Sequence, residues 1–352
     1  MTAQSPRPAC APDGPRTISV IMPVYNGATT IGQSLAPLLA MRRDGEVQEI
    51  IVVDDSSTDA TVDLATGLGA RVLHTGGRLG PGGARNIAAP VAIGDTLWFV
   101  DADVIVHADA GRVLRETFRR TGAAAVFGAY DDHPPAPNFL SQYKNLVHHH
   151  YHRRGGGESE TFWAGCGAIG RDAFLDAGGF DAAGYPYPSI EDIELGFRLR
   201  RRGRRIVLDP ALQGTHLKTW RIVNLLHTDI FRRALPWSRL VHARSGLPNT
   251  LNVSRVERWR ALLAFGLAAS IPFSAAGLAW RWLPPALLAA AAVANAALLA
   301  LFYRRRGLGF AVSGLLFHQI YYLYGAAAFA WSWLERRLSS LRSVLRGPSG
   351  PH

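Results

Sequence analysis

The sequence predicts an α/β fold: a sheet of parallel strands with helices on both faces, followed by apolar helices of membrane-spanning length. Three observations carry this. Short β-branched runs alternate with helical stretches as far as about residue 218. Carboxylate pairs close two of those runs, at Asp54-Asp55 and at Asp101 and Asp103. After about Leu251 the composition turns apolar.

Residues 1–16 are Pro-rich without an apolar run, so they read as a disordered leader and not as a secretory signal. Ile18 to Met22, stopped at Pro23, reads as the first buried strand. Thr29 or Thr30 is placed to cap a helix running to about Leu39. Glu49 to Val53 is the second strand, closed by Asp54-Asp55-Ser56-Ser57, with helix following to about Leu68. A third strand is expected at Arg71 to His74, and Asp95 to Val100 runs as another directly into Asp101. In such sheets ligands collect at the carboxyl ends of strands, where both acidic clusters fall.

The chain has 352 residues, 48% of them apolar, which is enough for one large domain and an appendage. Its net charge of +11 is almost all arginine; Lys144 and Lys218 are the only lysines. Nucleic acid, an anionic membrane surface and a phosphate-bearing substrate all fit that excess, as does a base composition that favours arginine codons. Cys10 and Cys166 have neither zinc-site nor disulfide spacing, and a reducing compartment fits them.

Ala261–Trp280, Ala286–Tyr303 and Phe310–Trp333 approach the ~20 residues needed to cross a bilayer. They predict two to three transmembrane helices within 252–334, with Arg304-Arg305-Arg306 beside the second run and Trp331 and Trp333 as interface anchors. Three spans would carry the basic tail 335–352 to the outer side, against the positive-inside rule. Within 219–251, Trp220 to Arg244 interleaves large apolar residues with arginines. It reads as an amphipathic interfacial segment with a break near Pro236; an ordinary surface helix is the alternative.

Two carboxylates one residue apart at a strand end, Asp101-Ala102-Asp103, can meet a divalent cation and a ribose at once. With Ser19-Val-Ile-Met-Pro23-Val-Tyr25-Asn26, Val52-Val-Asp54-Asp55-Ser56-Ser57-Thr58-Asp59, Gly83-Ala-Arg85-Asn86, Gly178-Gly-Phe-Asp181 and Glu191-Asp192-Ile-Glu194-Leu195, the chain resembles family 2 glycosyltransferases. The resemblance covers about 17–220 and implies the GT-A nucleotide-binding, Rossmann-like fold over a catalytic domain at 17–218. It implies that Pro23, Tyr25 and Asn26 line the base pocket and that Asp54 or Asp55 accepts from the base's ring N–H. Arg85, in a Gly-rich loop from Gly76 to Gly83, would face nucleotide or phosphate; Asp101 would meet the ribose and Asp103 a Mg2+ or Mn2+ ion.

The resemblance also makes Asp192 the base that takes the acceptor proton, with Glu191 positioning the acceptor or Asp192. A helix start capped by Ser189 explains the same carboxylates structurally, and the two readings are compatible. Trp163 and Gly165, within Phe162 to Gly167, would form the acceptor-side wall. His216 would complete the metal site or serve as a loop histidine, and Lys218 beside it could meet a phosphate. His148, His149, His150 and His152 read as a helix flanking the acceptor groove rather than a metal site, and Arg153 to Gly157 as a mobile lid. His216-Leu-Lys-Thr-Trp220-Arg221 departs from the Gln-x-x-Arg-Trp of processive synthases, which argues against chain elongation.

The expectation is therefore an inverting hexosyl- or N-acetylhexosaminyltransferase at the cytoplasmic face of the inner membrane. It would move one sugar from a nucleotide-sugar donor to a lipid or lipid-linked acceptor in cell-envelope synthesis. The alternatives are a non-catalytic nucleotide-binding scaffold on the same fold and, from charge alone, a nucleic-acid binder, which lacks any recognisable module.

Overall fold

The computed structural model describes residues 17–243, 254–274, 277 and 280–345, so the expected leader and the end of the basic tail lie outside the described residues. The elements are β1 (Ile18–Val24), α1 (Ile31–Arg43), β2 (Glu49–Asp54), α2 (Thr61–Gly67), β3 (Arg71–His74), α3 (Gly80–Ala88), β4 (Thr96–Val100) and β5 (Val104–Val106). They continue through α4 (Ala110–Thr121), β6 (Ala125–Tyr130), α5 (Phe139–Arg154), β7 (Gly157–Glu158), β8 (Cys166–Gly170), α6 (Arg171–Asp176), α7 (Glu191–Arg201) and β9 (Ile206–His216). The strands join one sheet in the order β3-β2-β1-β4-β8-β6-β9-β5, with β7 also on β9.

The sheet is mixed, which corrects the all-parallel expectation. β3, β2, β1 and β4 are parallel, but β8 runs antiparallel to both β4 and β6. After α5 the chain re-enters from the opposite end, and strand–helix alternation alone does not report that direction. Alternate residues of β4 face opposite sides, as the two-residue period of a strand requires. Trp98 and Val100 join Val20, Met22, Leu38 and Phe118 on one face. Leu97 and Phe99 join Ile21, Ile51, Phe127, Phe162 and Phe174 on the other. Each such side chain contributes ~1.5–3 kcal/mol on burial, so strands apolar on both faces stay in the middle of the sheet.

Gly128 marks an irregularity that shapes the site. The β6–β9 register shifts between Phe127 and Ala129, and a Cβ on Gly128 would collide with the Leu212 carbonyl. The shifted register then carries β9 on to pair with β5, with His216 opposite Val104.

Trp220 is buried, and its N–H donates to Ser141 Oγ on α5. Beyond it, α8 (Ile222–His227), a wide π-helical stretch (Thr228–Ala234) and α9 (Leu235–His242) follow one another. The expected break at Pro236 is instead absorbed here. Proline has no N–H for the carbonyl four residues back, Arg232, and Ser189 Oγ donates to that carbonyl at 2.6 Å. One face of this segment packs on the domain through Leu225 and Asp229, while Ile222, Val223 and Phe231 are exposed.

The apolar runs form α10 (Arg255–Phe273), α11 (Leu283–Ala294) and α12 (Ala296–Leu345), the last broken at Gly307, whose φ is 82°. Among the described residues no single helix is long and apolar enough to cross a membrane, although α11 with α12, bent by 80°, passes as a pair on length and composition. The run expected at Ala286–Tyr303 is thus divided at Asn295, whose side chain binds Ala291 O and Tyr322 OH. Arg305 pairs with Asp132 and Arg306 donates to Gln142, so these two arginines face the sheet domain. Leu298, Phe302 and Ala311 pack on Tyr143, Leu146 and Val147 of α5. Leu308, Val312, Leu316 and Ile320, spaced four apart, form an exposed apolar stripe on α12.

Candidate active site

The site lies where β1, β2 and β4 end. The loop after β1 forces Asn26 to φ 51° and that after β2 forces Ser56 to φ 67°, both outside ordinary backbone for a side-chain-bearing residue. Asn26 compensates by bracing the two loops: its N–H donates to Ser57 Oγ at 2.9 Å and its Oδ1 accepts from the Thr58 N–H at 2.8 Å. Pro23 ends inside β1, while Tyr25 is exposed with the Arg78 guanidinium 3.3 Å above its ring centre.

Asp54 and Asp55 are both buried and both engaged. Asp54 accepts from the Ser57 N–H at 3.0 Å and lies 3.3 Å from His74 Nδ1. Burial pushes its carboxyl up, but the Ser57 and His74 hydrogen bonds outweigh that and hold it below the usual value. Asp55 accepts from the N–H groups of Leu79 and Gly80 at 2.8 and 3.0 Å and from Thr75 Oγ1, with Arg78 Nε at 3.4 Å. A carboxylate at the start of α3 sits at the positive end of the helix dipole, so Asp55 organises the Gly-rich segment.

Arg85 does not lie in a loop, which corrects the sequence reading. The Gly76–Gly83 segment turns into α3 at Gly80, and Arg85 is buried within it. Its Nη2 donates to Asp101 at 2.5 Å and its Nη1 lies 3.5 Å from Glu191. Arg85 therefore bridges the two carboxylate clusters. Glu191 is buried too, and it accepts from the Ser189 N–H at 2.9 Å. That places Glu191 behind Arg85 rather than at an acceptor. Burial and neighbouring Asp192 push the Glu191 carboxyl up to about 7, against the pull of Arg85, whose closer contact is with Asp101. Ser189 is not the cap; the N-cap is the next residue, Ile190, and α7 starts at Glu191.

Asp101 and Asp103 flank the tight turn from β4 to β5, closed by the Val104 N–H on Asp101 O at 3.0 Å. Pairing of Val104 with His216 brings His216 Nε2 to 3.5 Å from Asp103 Oδ2. Burial raises the Asp103 carboxyl, and His216 and Lys218 beside it more than offset this. Among the described residues no group of three His, Cys, Asp or Glu side chains is arranged to hold a metal ion; Asp103 and His216 are a pair. Two donors about 2.1 Å from one ion stand ~3–3.5 Å apart, and the Asp103–His216 separation is compatible with that spacing.

Asp192 is the second residue of α7, half-buried. Its Oδ2 accepts from the Ala164 N–H at 3.0 Å, which ties it to the Trp163–Gly165 segment. Burial holds its carboxyl above the ordinary range. Trp163 covers Gly165, where a Cβ would strike the indole. Its ring meets Tyr130 edge-on at 4.8 Å and His148 at 4.7 Å, and Tyr130 stacks on His216 at 4.2 Å. Trp163, Tyr130 and His216 thus form one aromatic wall between Asp103 and Asp192. Tyr130 was not singled out in the sequence; its only signal is its place at the end of an apolar strand. His149 and His152 bond the carbonyls of Tyr130 and Gly128, which accounts for them structurally. Of the segment read as a lid, Arg153 and Arg154 end α5 and Gly157 pairs with β9.

The family model described as Glycosyl transferase family 2 matches residues 19–179. A poly(ribitol-phosphate) beta-glucosyltransferase of Bacillus spizizenii is 34% identical over 99 residues, 26% of this chain and 16% of that protein. The succinoglycan biosynthesis protein ExoO of Rhizobium meliloti is 33% identical over 118 residues, 33% of this chain and 32% of that protein. The chain thus spans less than a third of the length of either relative. A mannosyltransferase of Pyrobaculum calidifontis, solved with GDP-Man and Mn2+, shares the fold with a TM-score of 0.54 and 20% identity over 91% of this chain and 88% of its own. Residues 19–179 are thus similar to family 2 glycosyltransferases, and the mixed α/β, Rossmann-like sheet shares its fold with that mannosyltransferase.

Proposed function

We propose that the chain is an inverting glycosyltransferase moving one sugar from a nucleotide-sugar donor to a membrane-associated acceptor at the cytoplasmic face of the inner membrane. The observation that carries this reading is the opposition of Asp103–His216 and Asp192 across the Trp163–Tyr130 wall. Tyr25 and the Asn26-braced loops receive the base, and the Arg85-held Asp101 faces the ribose. A Mn2+ or Mg2+ ion at Asp103 and His216 supplies charge neutralisation for the departing diphosphate, and the imidazole favours Mn2+. Asp192, its basicity increased by burial, takes the proton of the acceptor hydroxyl as that oxygen attacks the anomeric carbon. Exposed Trp259, Leu262, Phe273, Trp282 and the α12 stripe support membrane attachment, since an apolar surface this extensive calls for a covering. Purified full chain given a panel of nucleotide sugars with membrane lipids tests the reading. Metal-dependent nucleotide release that disappears in Asp103→Ala is expected; release from no donor at all would sink it.

A further inference from the structure

Three cationic side chains, Lys144, Arg233 and Lys218, stand on the acceptor side of the site, and Asp229 is the carboxylate that two of them share. Lys144 of α5 binds both oxygens of Asp229 at 2.6 Å, and Tyr324 OH donates to the same carboxylate at 2.8 Å. Asp229 is therefore engaged on both oxygens. Arg233, one turn further on, lies 3.8 Å from it with half of its side chain exposed. The backbone fixes where Arg233 stands, because the carbonyl of the preceding residue, Arg232, holds Ser189 in the loop leading to Asp192. Lys218 arrives from the other side. The Leu217 N–H donates to Asp103 O at 2.8 Å, and the Lys218 ammonium sits 4.5 Å above the Trp220 ring, whose backbone is held by Ser141 on α5. Among the described residues no carboxylate lies within ion-pair distance of Lys218. The proximity is also felt electrostatically: Arg233 lowers the Asp192 carboxyl, and Arg233 and Lys218 both lower the Lys144 ammonium.

Like charges near one another repel, and an anion between them relieves that repulsion. The donor's diphosphate faces Asp103 and His216 with the cation, so the remaining positive charge faces the acceptor. We propose that Lys218 and Arg233 form a clamp for a phosphate group carried by the acceptor, held beside the hydroxyl that Asp192 deprotonates. The clamp rests on the transferase reading above. In the step it serves, the acceptor oxygen forms its bond to the anomeric carbon, the bond from that carbon to the diphosphate breaks, and the hydroxyl proton passes to Asp192. The acceptor phosphate keeps all its bonds. Its source is either a lipid headgroup or a soluble phosphate ester.

The test uses the full chain with Mn2+ and saturating nucleoside diphosphate, so that the donor's phosphate site is filled. Binding of sn-glycerol 3-phosphate is compared with that of glycerol, and flotation with phosphatidylcholine vesicles is measured with and without phosphatidylglycerol. The clamp predicts that the phosphate ester binds and glycerol does not. Arg233→Gln and Lys218→Met each weaken that binding by about tenfold or more, Arg233→Lys restores part of it, and affinity for the nucleoside diphosphate is unchanged. A loss confined to the vesicle arm assigns the phosphate to a lipid, and one confined to the ester arm to a soluble acceptor. Equal binding of ester and glycerol, or loss of nucleoside diphosphate affinity in the variants, overturns the clamp while leaving the transferase reading intact. Failure of every nucleoside diphosphate to bind removes that reading and the clamp with it.

Discussion

Replacing Arg85 with methionine is the perturbation that reaches furthest through this molecule. The guanidinium is buried and ties Asp101 at 2.5 Å to Glu191 at 3.5 Å. Removing one partner of a buried ion pair typically costs ~3–5 kcal/mol, because a charge stays behind without compensation. Here the Asp101 side chain is 34% exposed, so water recovers part of the loss, whereas Glu191 at 7% cannot rehydrate. The expected cost is therefore at the low end, ~3 kcal/mol. For a domain of this size that corresponds to a Tm lowered by roughly 6–12 °C. The assay is a thermal melt of the full chain at several pH values. Because Glu191 loses the neighbouring Arg85 cation, its ionisation becomes more costly, so the deficit should grow as pH rises through 7 and shrink below it. A Tm within about 1 °C of wild type, or a deficit independent of pH, would refute the bridging role.

Glu191→Gln tests the same cluster from the other side. The folded-state carboxyl is raised from 4.5 to about 7, so the contribution of Glu191 to stability is fully present below pH 4.5 and is lost as pH rises through 7. At about 1.4 kcal/mol per pH unit the variant should gain roughly 3 kcal/mol on wild type across that window, read by denaturant midpoints at pH 5 and pH 8. Asp103→Ala and His216→Ala should each raise the Mn2+ concentration for half-maximal nucleotide release at least tenfold, whereas His149→Gln, whose ring bonds a carbonyl, should leave it unaltered. Gly128→Ala, forced against the Leu212 carbonyl, should cost ~1–3 kcal/mol and also weaken metal binding, because the β9 register that delivers His216 passes through it. A Gly128→Ala protein with normal stability and normal metal response would remove the bulge from the account.

What the sequence disclosed, and what it withheld, divides along a physical line. The strand runs at Ile18–Val24, Glu49–Asp54 and Thr96–Val100 were legible because strands buried on both faces must be apolar throughout. The acidic clusters were legible as chemistry because they stand where such strands end. Strand direction was not, since nothing local distinguishes β8 entering from the opposite end. The role of Arg85 was hidden because its partners, Asp101 and Glu191, are 16 and 106 positions away, and a glycine-rich run looks like a loop even when Asp55 winds it into a helix. Tyr130 was hidden for the opposite reason: an aromatic at a strand end reads as core until the bulge at Gly128 turns it onto His216. Ser189 looked like a helix cap by spacing, yet its hydroxyl went to the carbonyl that Pro236 leaves without a donor. Local pattern predicts a local bond, and here a distant proline offered a better one.

The central claim is that Asp192 serves as the base across the wall from a donor held at Asp103. Transfer by purified full chain, with Mn2+, a nucleotide-sugar panel and membrane lipids, should be compared between wild type and Asp192→Asn. The account predicts a drop of about 10²–10⁴-fold in transfer, with nucleoside diphosphate affinity unchanged. Transfer by Asp192→Asn at the wild-type rate would contradict it.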